Sequence, residues 1–192
     1  MNQGEGRKRR IAYNEPGHAH ELTFSCYRRL KLFAEYGVVE SFLSELSAAR
    51  HRLGFELWAY VVMPEHIHVL LYPGEGAATV GQLLQAVKGP FARRIVGQWK
   101  QDRHPNLSQI RAGADEYRFW QKGGGYDRNM FTEPAVLSSI DYIHRNPVRR
   151  GLVKAGTAYP WSSASAYSDD NRAPIPVDVY QPTRVFWYGG NT

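Results

Sequence analysis

The sequence predicts an α+β fold in which an antiparallel sheet carries its helices mainly on one face. Three observations predict it. Two β-rich runs, residues 55–63 and 66–72, are separated only by Pro64-Glu65, the pattern of a hairpin. Segments with helical spacing of apolar residues lie on both sides of that hairpin. A strand-like run precedes the set and a short one follows it, so the order is strand, helix, strand, strand, helix, short strand, helix.

Each element has its own justification. Residues 21–27 alternate and are rich in β-formers, which predicts a strand. Residues 37–53 place Val38, Val39, Phe42, Leu43, Leu46 and Ala49 at helical spacing, and Gly54 is the expected stop. After the hairpin comes a Gly-rich loop over 73–78. Residues 79–99 form the next helix, with Gly89-Pro90 predicting a kink or a break. Residues 100–116 read as loop, 117–121 as a short strand and 122–125 as a glycine loop. Residues 132–145 form a helix in the C-terminal half, capped by Thr132, with Pro134 at a tolerated early position and Asn146-Pro147 as its end. This arrangement is ferredoxin-like.

With 192 residues the chain suits one domain, and 43% hydrophobic and 13% aromatic content make it globular. Residues 1–17, with Arg7-Lys8-Arg9-Arg10, read as a flexible basic arm, 18–168 as the main folded domain and 169–192 as an irregular tail in which residues 185–188 could dock. No apolar secretory core follows the arm, and the longest apolar runs are too short to span a bilayer, so the expectation is a soluble cytoplasmic protein with no membrane partner. Cys26 is the only cysteine, which excludes an internal disulfide and a cysteine zinc site. A net charge of +6 favours a polyanionic partner, of which nucleic acid is the commonest.

His66-Ile67-His68 falls within a strand-like run, so His66 and His68 share one face while Ile67, Val69 and Leu71 share the other. Two imidazoles on one rigid face can hold a metal ion. His18-Ala19-His20 has the same spacing but lies in a polar, unpatterned stretch and is not expected to be a site. A hard divalent ion such as Mg2+ or Mn2+ would need an oxygen ligand as well. Glu65 is close in sequence, but its place in the turn leaves its direction open.

On the helix over 132–145, Val136, Leu137, Ile140 and Ile143 form the predicted core stripe. Tyr142 lies nearly opposite, with Asn146 four residues on along the same side. Packing does not explain a tyrosine there. A phenol is mostly protonated at neutral pH, so a nearby cation helps it react, and attack on a phosphodiester would leave a covalent phosphotyrosine. Asn146 could supply the oxygen ligand from the tyrosine's side of the helix.

These segments resemble a known family. Trp58-Ala59-Tyr60-Val61-Val62-Met63-Pro64-Glu65-His66-Ile67-His68 is similar to the histidine motif of the IS200-like transposases, and most of all their REP-associated tyrosine transposase branch. Tyr117-Arg118-Phe119-Trp120-Gln121 with Tyr126-Asp127 resembles the stretch before that branch's catalytic helix. Asp141-Tyr142-Ile143-His144-Arg145-Asn146-Pro147, continued through Val153 and by Tyr159-Pro160-Trp161-Ser162-Ser163, resembles its tyrosine segment. The resemblance covers residues 18–168. It implies a ferredoxin-like fold and a metal-dependent single-strand (HUH) endonuclease. It further implies that His66 and His68 bind the metal, that Asn146 is the third ligand, and that Tyr142 attacks the DNA to leave a 5′-phosphotyrosine and a free 3′-hydroxyl. The implied DNA is single-stranded or hairpin-forming and derived from repetitive palindromes. Monomer and homodimer both stay open, because the extra C-terminal length is similar to the REP branch rather than to the shorter dimeric relatives.

Candidate phosphate contacts are Arg28, Arg29, Lys31, Lys88, Arg93, Arg94, Arg149 and Arg150, and Trp120, Tyr126 and Trp161 are candidate stacking platforms for unpaired bases. Two other readings compete. One is a non-cleaving hairpin-binding protein domesticated from a transposase. The other is a phosphodiesterase that uses water, with Tyr142 only a substrate contact.

Overall fold

The structure, a computed structural model, describes residues 17–74, 76–123 and 125–182. The basic arm up to residue 16 and the 185–188 segment lie outside the described residues. Four strands, β1 (Ala19–Ser25), β2 (Phe55–Val62), β3 (His66–Pro73) and β4 (Tyr126–Met130), form one antiparallel sheet in the order β2-β3-β1-β4. The helices are α1 (Val38–Leu53), α2 (Val80–Gln101), the short α3 (Asn106–Gln109) and α4 (Glu133–Arg149). The α+β class and the helix-bearing antiparallel sheet are as the sequence predicts. No helix of the described residues is long and apolar enough to cross a membrane.

The sheet buries both faces, and strand alternation decides which side chains go where. Leu22, Phe24, Ile67, Val69 and Leu71 join α1 and α2 in the larger core, where Phe33, Phe42, Phe91 and Phe119 pack ring against ring. Ala19, Leu70 and Val61 point the other way and meet Val136, Ile140 and Ile143 of α4 in a smaller core. α4 packs mainly on β2, with fewer contacts to β3, and so leaves the β1–β4 half of that face less covered.

Several expectations are corrected. The first strand lies two residues earlier than predicted at both ends, because Ala19 and His20 pair with Met130 and Asn129 of β4 while positive φ at Arg28 and Arg29 turns the chain at 27–29. His20 therefore lies in β1, fully buried, with Nδ1 3.0 Å from Asp127 Oδ1. α2 runs through Gly89-Pro90 without a break. A proline inside a helix costs about 3 kcal/mol, but buried Val80, Leu83, Val87, Phe91, Ile95 and Trp99 hold the helix down on both sides of it. Thr79 and Gln82 close a reciprocal cap at its start.

Residues 117–121 are not a strand. They make only isolated bridges, Arg111 with Tyr117 and Cys26 with Trp120, and their apolar character reflects Phe119 and Trp120 plugging into the aromatic core. The fourth strand is instead the polar edge run Tyr126–Met130. Within the predicted loop over 100–116, residues Asn106–Gln109 form a helical turn. α4 continues past Asn146-Pro147 to Arg149, since a proline near a helix end removes only one late hydrogen bond. Leu137 is 44% exposed rather than core, because the buried stripe runs Val136, Ile140, Ile143 and Pro147.

The segment after α4 returns along the free edge of β2. Val62 N donates to Trp161 O, and Tyr159 and Tyr167 hydroxyls donate to the carbonyls of Val62 and Trp58. Residues 169–182 contain no helix or strand but are held: Asp178 accepts from Leu57 N beside a bulge in β2 and pairs with the buried Arg50.

Candidate active site

His66 and His68 emerge from β3 on the α4 face, as strand alternation requires, with ring centroids 4.9 Å apart and nearly perpendicular. Both are buried. Burial pushes the His68 imidazole down to about 3, aided by the neighbouring His66 and Arg29. His66 is lowered too, by burial first, with Glu65 opposing and Arg29 and Arg150 adding to the shift. The pair is therefore uncharged at neutral pH with ring nitrogen lone pairs available, the form in which imidazole binds metal.

Neighbours flank both rings. Thr23, opposite His68 in the β1–β3 register, places Oγ1 2.8 Å from His68 Nδ1 and leaves Nε2 as the outward nitrogen. Glu65 Oε1 lies 3.2 Å from His66 Nδ1, without hydrogen-bond alignment, and would form an ion pair only with a protonated imidazole. The Glu65 side chain does not turn out to solvent. It is buried, accepts from Arg150 Nη2 at 2.9 Å and has Arg29 Nη2 at 3.7 Å. One buried carboxylate thus draws two cations from distant parts of the chain to the histidine end of the sheet.

α4 brings Tyr142 to the same place. Its ring stands edge-on to His68 at 5.5 Å between centroids, and it remains 38% exposed. The Arg149 guanidinium lies 5.1 Å from the ring centroid. A cation at that distance is held by the ring's quadrupole and places positive charge beside the cleft. Asn146 is buried one turn on. Its Nδ2 donates to Tyr142 O at 3.1 Å, which leaves the amide oxygen as its acceptor end.

His66 and His68 supply two buried nitrogens of the type that binds a divalent ion, and Asn146 on α4 carries the amide oxygen expected as a third ligand. Among the described residues no three His, Cys, Asp or Glu side chains cluster around one point, so further ligands would be amide oxygens or oxygens of the substrate.

The candidate DNA contacts divide by face. Arg149, Arg150 and Arg29 stand around the histidine–tyrosine pair, and Tyr126, exposed at the sheet edge, lines the same cleft as His68 and Tyr142. Arg28 lies over the Tyr27 ring at the adjacent turn, and Lys31 is exposed. Lys88, Arg93 and Arg94 belong to α2, across the sheet from Tyr142. Lys88 Nζ donates to Gly123 O, the side chain lies over Phe24 and Trp120, and burial lowers its affinity for a proton. Arg94 is engaged with Glu45 and Ser41 O, whereas Arg93 is exposed. Trp120 is half-buried, packs against the aromatic core and donates Nε1 to Lys88 O. Trp161 packs partly against the same core.

Glu21, Thr23, Arg128 and Ser139 also surround the site and were missed from sequence. They are ordinary polar residues on separate elements, and only strand pairing brings them together. Glu65 had a signal, its adjacency to His66.

The class that the fold and site define is an antiparallel α+β domain in which a histidine pair on the sheet faces a helix-borne tyrosine. The particular likeness is to REP-associated tyrosine transposases, which the chain resembles in both sequence and fold. A solved REP-associated tyrosine transposase bound to a REP hairpin superposes with a TM-score of 0.64 at 20% identity, over 98% of each chain. A Haemophilus influenzae protein provisionally named a REP-associated tyrosine transposase is 25% identical over 125 residues, 65% of this chain and 68% of that one. A Deinococcus radiodurans transposase structure covers 75% of this chain at a TM-score of 0.44, too low to bear on the fold. No family profile matches the sequence.

Proposed function

We propose that the protein is a metal-dependent endonuclease and strand transferase for single-stranded DNA, acting beside hairpins formed by repetitive palindromes. The observation that carries this reading is the His68–Tyr142 contact, a reactive-type side chain held against a buried neutral imidazole pair. His66, His68 and Asn146 would hold Mg2+ or Mn2+, which when bound polarises the scissile phosphate.

Tyr142 Oη attacks phosphorus as its proton passes to solvent. A phosphorus–oxygen bond to the tyrosine forms, the bond to the 3′-oxygen breaks, and that oxygen takes a proton from solvent and leaves as a 3′-hydroxyl. The product is a 5′-phosphotyrosine that keeps the bond energy for rejoining. Arg149 stabilises charge on the phenol, and Arg29 and Arg150 hold the backbone at the histidine end. The likeness to a transposase whose structure contains a REP hairpin supports the choice of DNA class.

The test is a denaturing gel with labelled hairpin-bearing oligonucleotides and MgCl2 or MnCl2. A covalent protein–DNA band is expected with the natural chain. Tyr142→Phe lowers its yield by on the order of a thousandfold or more, while hairpin affinity changes little. Hairpin binding without an adduct in either metal would instead make the protein a binding module. Cutting that survives Tyr142→Phe would make water the nucleophile.

A further inference from the structure

We infer that the polar cleft beside Tyr142 receives one unpaired nucleobase carrying an amino group, with Glu21 as the acceptor that selects it. The inference deepens the proposed function and rests on it. The cleft, about 440 Å³, lies where α4 leaves the β1–β4 half of the sheet open. That volume lies in the range of small-ligand pockets. Glu21 and Thr23 line it from β1, Ser138 and Ser139 from α4, and Tyr126 and Arg128 from β4. His68 and Tyr142 are part of the same lining, so a nucleotide seated here adjoins the reacting centre.

Glu21 decides the ligand. Its carboxyl is only 6% exposed and accepts from Ser139 Oγ at 3.1 Å. A carboxylate in the lining of a cleft repels phosphate oxygens, so this is no phosphate site. What it attracts is N–H, and a carboxylate has room for several donors. Burial raises the Glu21 carboxyl above its ordinary range, with Ser139 and Arg128 opposing, so charge there is costly until further donors arrive. In unpaired DNA those donors are the amino groups of cytosine, adenine and guanine. Thymine has no amino group, and its single ring N–H is flanked by two carbonyl oxygens that a carboxylate repels. Tyr126 offers a ring at the rim for stacking, and the exposed Arg128 can meet the flanking backbone.

Base choice is tested apart from cleavage, with the Tyr142→Phe protein in EDTA and fluorescence anisotropy of labelled dC10, dA10 and dT10 at one ionic strength. Binding of dC10 and dA10 at least about fivefold tighter than dT10 is expected. Glu21→Gln, whose amide both donates and accepts, brings the ratio close to one. The lost negative charge tightens all three oligonucleotides alike and cancels in the ratio. Equal affinities in the Tyr142→Phe protein, or a preference that survives Glu21→Gln, would overturn the inference. If Glu21→Gln loses its native circular dichroism, Ser138→Trp serves instead. It fills the cleft from an exposed position and must bring dC10 and dA10 down to the dT10 level. An adduct-forming protein without base preference sinks the pocket alone, whereas base preference without any adduct sinks only the cleavage reading.

Discussion

The two faces of the sheet are built on opposite principles. The α1–α2 face is a thick apolar layer in which aromatic rings interlock, and even its cation, Lys88, is laid over rings. The α4 face has a small apolar patch on β2–β3, and beyond it lie a buried histidine pair, a buried glutamate and an open polar cleft. One face can tolerate unfavourable burial because the other holds the sheet. Strand alternation makes the division possible, since each strand contributes to both layers at once.

Predictions that separate the faces follow in order of size. Tyr142→Phe has the largest effect on chemistry, as given above, and should shift stability by no more than about 0.5 kcal/mol, because the ring and its contacts remain. Phe91→Ala should do the reverse. Loss of a fully buried ring costs about 3–5 kcal/mol in denaturant unfolding, while adduct formation per folded molecule stays near normal. A large loss of specific activity in folded Phe91→Ala protein would show that the faces are not separable.

Glu65→Gln acts at the histidine end. It removes the charge facing His66 Nδ1 and loosens Arg150 and Arg29. Mn2+ affinity measured by calorimetry should fall about 10–100-fold, and unchanged affinity would mean that Glu65 only anchors the arginines. Gly125→Ala bridges the two regimes. Gly125 has φ +88°, and an added Cβ would collide with the Thr23 carbonyl oxygen where β4 meets β1. Melting should report a loss of about 1–3 kcal/mol, together with altered oligonucleotide binding, because Tyr126 and Thr23 move with that contact. Leu137→Ser should be almost neutral, within about 0.5 kcal/mol, since the side chain faces solvent; a larger loss would show that α4 buries a wider stripe than the geometry indicates.

Residues whose behaviour depends on local periodicity were legible in the sequence. α1 begins and ends where its apolar spacing and Gly54 place it, and β3 turns His66 and His68 to one side and Ile67, Val69 and Leu71 to the other. Local pattern misleads where tertiary context overrides it. Tyr117-Arg118-Phe119-Trp120 is apolar for the sake of the core, not of a strand, while the true β4 is polar because it is an edge. Local pattern predicts a kink or a break at Pro90 and an end at Asn146-Pro147, yet buried neighbours carry both helices through.

By itself, then, the sequence determined the α+β class, the face shared by His66 and His68, and the displacement of Tyr142 from the apolar stripe of its helix. Each follows from backbone geometry over a few residues. Only the tertiary structure decided that Tyr142 stands against His68, that Thr23 orients His68 while Glu65 gathers Arg29 and Arg150 beside His66, and that Glu21 and Ser139 line the adjoining cleft. Most of those contacts join residues far apart in the chain. Their positions depend on strand register and on which half of the sheet α4 covers, and neither is written in any local pattern.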